Sequence, residues 1–194
     1  MENITLTHNT DRTMYDEFAS PDVSSDGLVA HELAHQWYGD MLTTRNWANA
    51  WLNEGFATFL SRDYREYKFG YDEGEYIRFG EIRSYFGSNK KWQRPTVHDH
   101  YYVPMDLFDG HVYAKGSLIL SMMRDVLGED SFWKAVKSYT KLHQYECVET
   151  QDLIPTGKIF HKLINPKRNV PDEAFKIHGF SEEFLKDKET FDKV

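Results

Sequence analysis

Apolar positions along this chain recur at helical spacing more often than they alternate. The main exception is "ENITLTHNT", residues 2–10, where apolar and polar residues alternate and predict a short strand. A polar loop with Pro21 follows, and "SSD" at 24–26 offers N-cap residues for a helix reaching about Tyr38. Gly39 is placed to end that helix in a left-handed conformation. Leu52, Phe56, Phe59 and Leu60 recur at helical spacing, so a second helix is predicted from about Ala50 to Tyr67. A third is predicted over 72–86. Gly87, Pro95, Pro104 and Gly110 then mark 87–110 as a long loop, and loops of that length are usually functional or packed on themselves. Two more helices are predicted over 112–127 and 130–143, parted by a turn at "LGED". Beyond Thr150, Pro155, Gly157, Pro166 and Pro171 interrupt any long element, leaving room for a short amphipathic helix near 181–188.

Composition narrows the class. The 194 residues suit one domain with a sizeable core, and 40% hydrophobic with 15% aromatic residues excludes a disordered chain. A formal charge of −8 argues against nucleic acid or an anionic membrane surface as the main partner. Cys147 is the only cysteine, which excludes an internal disulfide and four-cysteine metal sites, and it is expected to be a small core residue. The polar opening residues do not resemble a signal peptide, and no apolar run approaches the ~20 residues of a membrane span. A soluble chain is expected, with the cytoplasm favoured among compartments.

The chemistry concentrates in "GLVAHELAHQWYGD", residues 27–40. On a helix, positions i and i+4 share a face about one turn apart, so His31 and His35 can address one metal ion. Glu32 lies about 100° round the helix, where its carboxylate reaches a metal-activated water without ligating the metal. A bare HExxH match recurs by chance, and two solvated histidines on one helix account for it about as well. Glu54 changes the balance: it stands among Trp51, Leu52, Phe56 and Phe59, and a carboxylate in apolar surroundings needs a partner. Two imidazoles and one carboxylate around a single Zn²⁺ leave a net charge near +1, electrophilic enough to bring water's pKa to roughly 7.

"HELAHQWYGD…WLNEGFATFL", with eighteen residues between His35 and Glu54, closely resembles the membrane alanyl aminopeptidase type of zinc aminopeptidase. These are gluzincins, a family that also includes the leukotriene-hydrolase bifunctional enzymes. "MEN" at 1–3 resembles the tail of the family's Gly-Ala-Met-Glu-Asn exopeptidase motif, and "VYAKGSLIL" its Tyr-x-Lys-Gly segment. The resemblance implies a mainly α fold: a thermolysin-like zinc-peptidase catalytic domain with its helical lobe and a remnant of the β lobe. It implies His31, His35 and Glu54 as zinc ligands and Glu32 as general base. Tyr113 would donate its phenol proton to the developing oxyanion, and Glu2 would hold the substrate's free α-amine. The expected activity is hydrolysis of the amino-terminal bond of peptides. The likeness runs over residues 1–153, expected to be a catalytic domain shortened on its N-terminal side, with 154–194 an unassigned tail packed on the same domain.

Rival readings use the same residues. A thermolysin-like endopeptidase shares the zinc core, and epoxide hydrolysis occurs in the bifunctional relatives. A non-catalytic or weakly active helical interaction module would merely retain the site. His98 and His100 read as a surface pair, and His111 as a loop-end histidine that can line the site. Trp37, Trp47 and Trp51 are expected to pack the two ligand-bearing helices together.

Overall fold

Five α-helices in the computed structural model carry the fold, which is described over residues 1–19, 23–153, 183 and 186. They are α1 (Asp26–Ala34), α2 (Trp51–Phe69), α3 (Tyr71–Lys91), α4 (Ala114–Leu127) and α5 (Glu129–Leu142). Among the described residues strand is confined to β1 (Thr43–Thr44) and β2 (Cys147–Val148), paired in parallel as Thr43 with Cys147 and Thr44 with Val148. The architecture is mainly α, as expected, and Met1–Pro155 forms one compact unit. The predicted helix near 181–188 and the tail from 154 lie outside the described residues apart from Glu183 and Lys186, both helical.

Residues 2–10 do not form the predicted strand. Met1 and His8 exchange backbone hydrogen bonds (His8 N–H to Met1 O, 2.8 Å; Met1 N to His8 O, 3.1 Å), and Thr5 adopts φ 60° between them. A left-handed residue inside the run reverses the chain, so the alternation has no ladder to join.

Two helix boundaries also differ from the pattern. Helix α1 ends at Ala34 rather than Tyr38, because the chain tightens into i→i−3 hydrogen bonds at Gln36 and Trp37 before Gly39 turns it back at φ +140°. A side chain there would be strained, and its Cβ would lie 3.1 Å from His35 Nδ1. Helix α3 runs through Gly80 and Gly87 to Lys91, so the predicted loop begins five residues late. It stops where Trp92 takes an extended conformation, ahead of the Arg94–Pro95 step that disfavours helix.

Helix α2 is the central element, packed against α1, α3 and α4. Its inward face supplies Leu52, Phe56 and Phe59, each 1–2% exposed, to a core that includes Tyr38, Leu120, Phe132 and Tyr139. Phe56 stacks on Tyr38 at 4.2 Å between ring centroids, and Phe59 meets Phe132 edge to face at 5.4 Å. Deeper between α2, α3 and α4, the buried Arg62 guanidinium pairs with Glu81 at 2.6 Å and donates to Ser121 and Ser117. Burial drives the Glu81 carboxyl up to about 7 against the pull of Arg62.

Of the three tryptophans, only Trp51 is buried; it is 3% exposed and donates Nε1–H to Thr150 Oγ1 at 2.9 Å. Trp37 sits on the turn after α1, and Trp47 lies at a cavity mouth against Phe108; both are about half exposed. Cys147 is exposed rather than core, because the pleat of β2 turns Val148 inward and Cys147 outward. No helix among the described residues is long and apolar enough to cross a membrane.

Helices α2 and α4 touch backbone to backbone at Gly55 and Gly116, where a Cβ on either residue would come within 2.8 Å of the other's Cα. Gly116→Ala should therefore force the helices apart and cost roughly 1–3 kcal/mol of unfolding free energy, read from the urea midpoint at constant m-value.

Candidate metal centre

The end of α1 and the first turn of α2 carry the ligand candidates. His31 projects from the last turn of α1, and His35 follows at its C-cap with helical dihedrals, its N–H still bonded to His31 O at 3.3 Å. The one-turn relation predicted for the pair survives although the helix formally ends between them. Glu54 sits in the first turn of α2, which is anchored by a 3-10 turn at Trp47–Asn49 and by Asn49, whose Oδ1 accepts Thr150 N–H at 2.9 Å.

These elements bring three ligand atoms to one point. His31 Nε2 and His35 Nε2 lie 3.1 Å apart; Glu54 Oε2 lies 3.2 Å from the first and 3.3 Å from the second. Among the described residues this is the group of histidines and carboxylates placed to share an ion. Tetrahedral zinc with bonds of about 2.0–2.1 Å requires ligand atoms about 3.3 Å apart, which is the spacing found. The tautomer also fits: His35 Nδ1–H donates to Tyr38 O at 2.8 Å, which leaves the Nε2 lone pair directed at the cluster. Three electron-rich atoms at this separation need a cation or shared protons between them, so the donor set fits the metal.

The electrostatics follow from that convergence. Burial alone would raise the Glu54 carboxyl, but the two histidines outweigh it and hold the group at about 2. Burial likewise opposes charge on His35, yet the hydrogen bond and charge of Glu54 raise its pKa above the ordinary 6.5. Tyr113, half-buried at the start of α4, has its ring centroid 6.1 Å from that of His31. Burial, reinforced by the charges of Glu54, Glu2 and Glu32, pushes its phenol ionisation well upward.

Glu32, 12% exposed, lines a cavity of about 770 Å³ together with His31, His35, Glu54, Tyr113 and Glu2. All six predicted residues thus face one space. A second cavity of about 800 Å³ shares His31, Glu32 and Tyr113 and extends along α2 and α3 past Arg62 and Glu81. Glu2 reaches the first cavity because Gln36 holds its segment: Gln36 Nε2 donates to Glu2 O at 3.2 Å and Asp40 Oδ2 at 2.9 Å, while its Oε1 accepts Thr5 N–H at 2.9 Å. Gln36 was invisible to pattern reasoning; its one signal is its place beside His35 in "HELAHQW". His111 is fully buried and lines neither cavity. His98 and His100 form a ring pair 6.0 Å apart on the loop, His100 largely exposed.

Comparison with known proteins shows the family. The model of the peptidase family M1 domain matches residues 1–164. Probable aminopeptidase 2 of Sulfurisphaera tokodaii is 36% identical over 126 residues, 61% of this chain and 16% of the relative. A yeast LTA4 hydrolase in complex with bestatin aligns at TM-score 0.63 and 26% identity, covering 66% of this chain and 22% of the other. An M1 zinc metallopeptidase from Deinococcus radiodurans aligns at TM-score 0.56 and 29% identity, covering 66% and 28%. The chain therefore spans about a sixth of that curated relative's length.

Metal binding should be visible without any assay of turnover. Free zinc at a hundred times its dissociation constant should add about 2.7 kcal/mol to the unfolding free energy, and His35→Ala should abolish that increment. Protons and metal compete for the same lone pairs. Because the His35 pKa is raised, the increment should shrink as pH falls, beginning above 6.5 rather than at it; denaturant titrations with and without zinc from pH 8 to pH 5 check this.

Proposed function

The chain belongs to peptidase family M1, and from that premise we propose that it hydrolyses the amino-terminal bond of peptides bearing a free α-amine. Residues 1–153 would form its catalytic domain, shortened on the N-terminal side. The observation that carries this reading is the tetrahedral spacing of His31 Nε2, His35 Nε2 and Glu54 Oε2 in a cavity that Glu32, Tyr113 and Glu2 also line. His31, His35 and Glu54 would hold one zinc ion. When bound, zinc supplies Lewis acidity, polarising the scissile carbonyl and lowering the pKa of water to about 7.

The chain's own residues do the rest. Glu32 takes the proton from the attacking water and delivers it to the leaving amine, the two half-steps of general acid–base catalysis. Tyr113 keeps its proton at every pH at which the enzyme would work, because burial and three carboxylates oppose its ionisation. Its O–H is thereby available to the oxygen that gains negative charge as the carbonyl becomes tetrahedral. Glu2, which lines the same cavity, pairs with the substrate's ammonium and sets the register at one residue. The second cavity then receives the peptide beyond the scissile bond, since it shares His31, Glu32 and Tyr113 with the first and Glu2 is not in its lining.

Aminoacyl anilides test the assignment directly. Glu32→Gln should lower kcat by about 10²–10⁴ while zinc content stays at wild-type level. Tyr113→Phe should lower it by roughly 10²–10³. N-acetylated versions of the same substrates should resist cleavage; equal rates on blocked and free substrates would sink the exopeptidase reading while leaving the metal site intact.

A further inference from the structure

Tyr113 is placed by a turn whose anchors lie outside both cavities. The turn runs from Asp109 to Val112, and Asp109 holds it at both ends. Its backbone carbonyl accepts the N–H groups of Val112 at 3.1 Å and of Tyr113 itself at 3.2 Å. Its side-chain Oδ1 accepts Arg94 Nη2–H at 2.6 Å and His111 N–H at 2.8 Å, while Oδ2 takes His111 Nδ1–H at 3.0 Å. Arg94 is 5% exposed and is itself fixed, donating to Leu107 O at 2.9 Å and Pro95 O at 3.1 Å. His111 is 0% exposed and meets the Tyr85 ring of α3 edge to face at 5.6 Å. Next to it, Gly110 N–H donates to Ser88 Oγ of α3 at 2.9 Å.

An apolar trio of the same volume would tie this turn to α3 at lower desolvation cost. What ionic and hydrogen-bonding groups add is direction, since each bond fixes an angle as well as a distance. None of the three lines the cavities, so none touches substrate. We infer that Arg94, Asp109 and His111 are positioning residues that aim the Tyr113 phenol at the reacting carbonyl, with Asp109 as the pivot. The inference rests on the proposed role of Tyr113 as oxyanion donor.

The test uses the full chain loaded with zinc. Asp109→Asn keeps the shape of the pivot and removes its charge. His111→Leu removes the imidazole, whose Nε2 is buried with no hydrogen-bond partner, so this substitution strands nothing at that atom. If Asp109→Asn loses its helical circular dichroism, His111→Leu decides alone. Both variants should lower kcat between about tenfold and hundredfold with KM and zinc content unchanged, the size expected for a displaced catalytic group. Neither should slow the Tyr113→Phe protein further, because the group they aim is gone. Losses that multiply in the double variants, or variants that keep wild-type kcat while Tyr113→Phe is slow, overturn the positioning role. Wild-type turnover by Tyr113→Phe strikes instead at the donor reading on which it rests. A second measurement needs no turnover: nuclear Overhauser contacts between the Tyr113 and His31 rings should weaken in both variants, and unchanged contacts overturn the inference.

Discussion

Everything in this structure is arranged around the approach of three electron-rich atoms to within 3.3 Å of one another. Left to themselves two imidazole lone pairs and a carboxylate repel, so the geometry has to be imposed by packing elsewhere. Phe56, two residues after Glu54, stacks on Tyr38, three residues after His35. The same Tyr38 receives the His35 Nδ1–H on its carbonyl and anchors its hydroxyl on Thr140 of α5. One aromatic residue thereby sets the distance between α1 and α2, the tautomer of a ligand, and the seat of both on the core. Gly39 closes the arrangement, since any side chain there would crowd the imidazole it passes.

Helix α2 works on two sides at once. Glu54 faces the cluster, while the next residue, Gly55, meets Gly116 of α4 closely enough to exclude a Cβ. That contact lies three residues beyond Tyr113, so the approach of α2 to α4 also governs how near the phenol comes to His31. Ligand and proposed donor are coupled through a glycine pair that has no chemistry of its own. The buried Arg62–Glu81 pair and its serines hold α3 against the same two helices two turns further along, where the second cavity is walled.

Much of this was legible in the sequence. Helix existence followed from the recurrence of Leu52, Phe56 and Phe59, because an amphipathic face is written locally. The convergence of His31, His35 and Glu54 followed from the i, i+4 relation of the histidines and a carboxylate embedded among aromatics. What failed depended on partners distant in sequence or on local turn geometry. Alternation in residues 2–10 carried no information about the left-handed Thr5 that reverses the chain. Gly87 reads as a breaker, but a helix tolerates a solvent-facing glycine, and α3 continues until the approach of Pro95. Cys147 went to the surface because a two-residue strand has one inner and one outer face, and Val148 took the inner one. Trp37 was misplaced because α1 ends at Ala34 and the turn beyond points it outward. Gln36 and Asp109 had no periodic signature at all, since their work is hydrogen bonding to backbone segments that only the fold brings near.

The charge distribution gives the site its remaining logic. Glu2, Glu32 and Glu54 all act on Tyr113, and Glu2 acts in addition on His35 and Asp40. Three carboxylates, Glu2, Glu32 and Glu54, line one cavity and make an anionic field, which opposes the ionisation of a neutral acid and favours a cation that enters. The phenol of Tyr113 is held toward its protonated form, and His35 becomes a better host for positive charge. The ammonium of the proposed substrate would be drawn in by the same field, so a metal ion, a hydrogen-bond donor and an α-amine would be favoured by one cause. The field also requires that charge arriving at the carbonyl oxygen be met by something positive close at hand. In its proposed role Tyr113 would meet that requirement only with its O–H pointed at the oxygen rather than at Glu54, and the turn that carries it is held by Arg94, Asp109 and His111. Those three residues bond to one another and to backbone outside the cavity lining, so the direction of the turn is fixed away from the carboxylates that make the field.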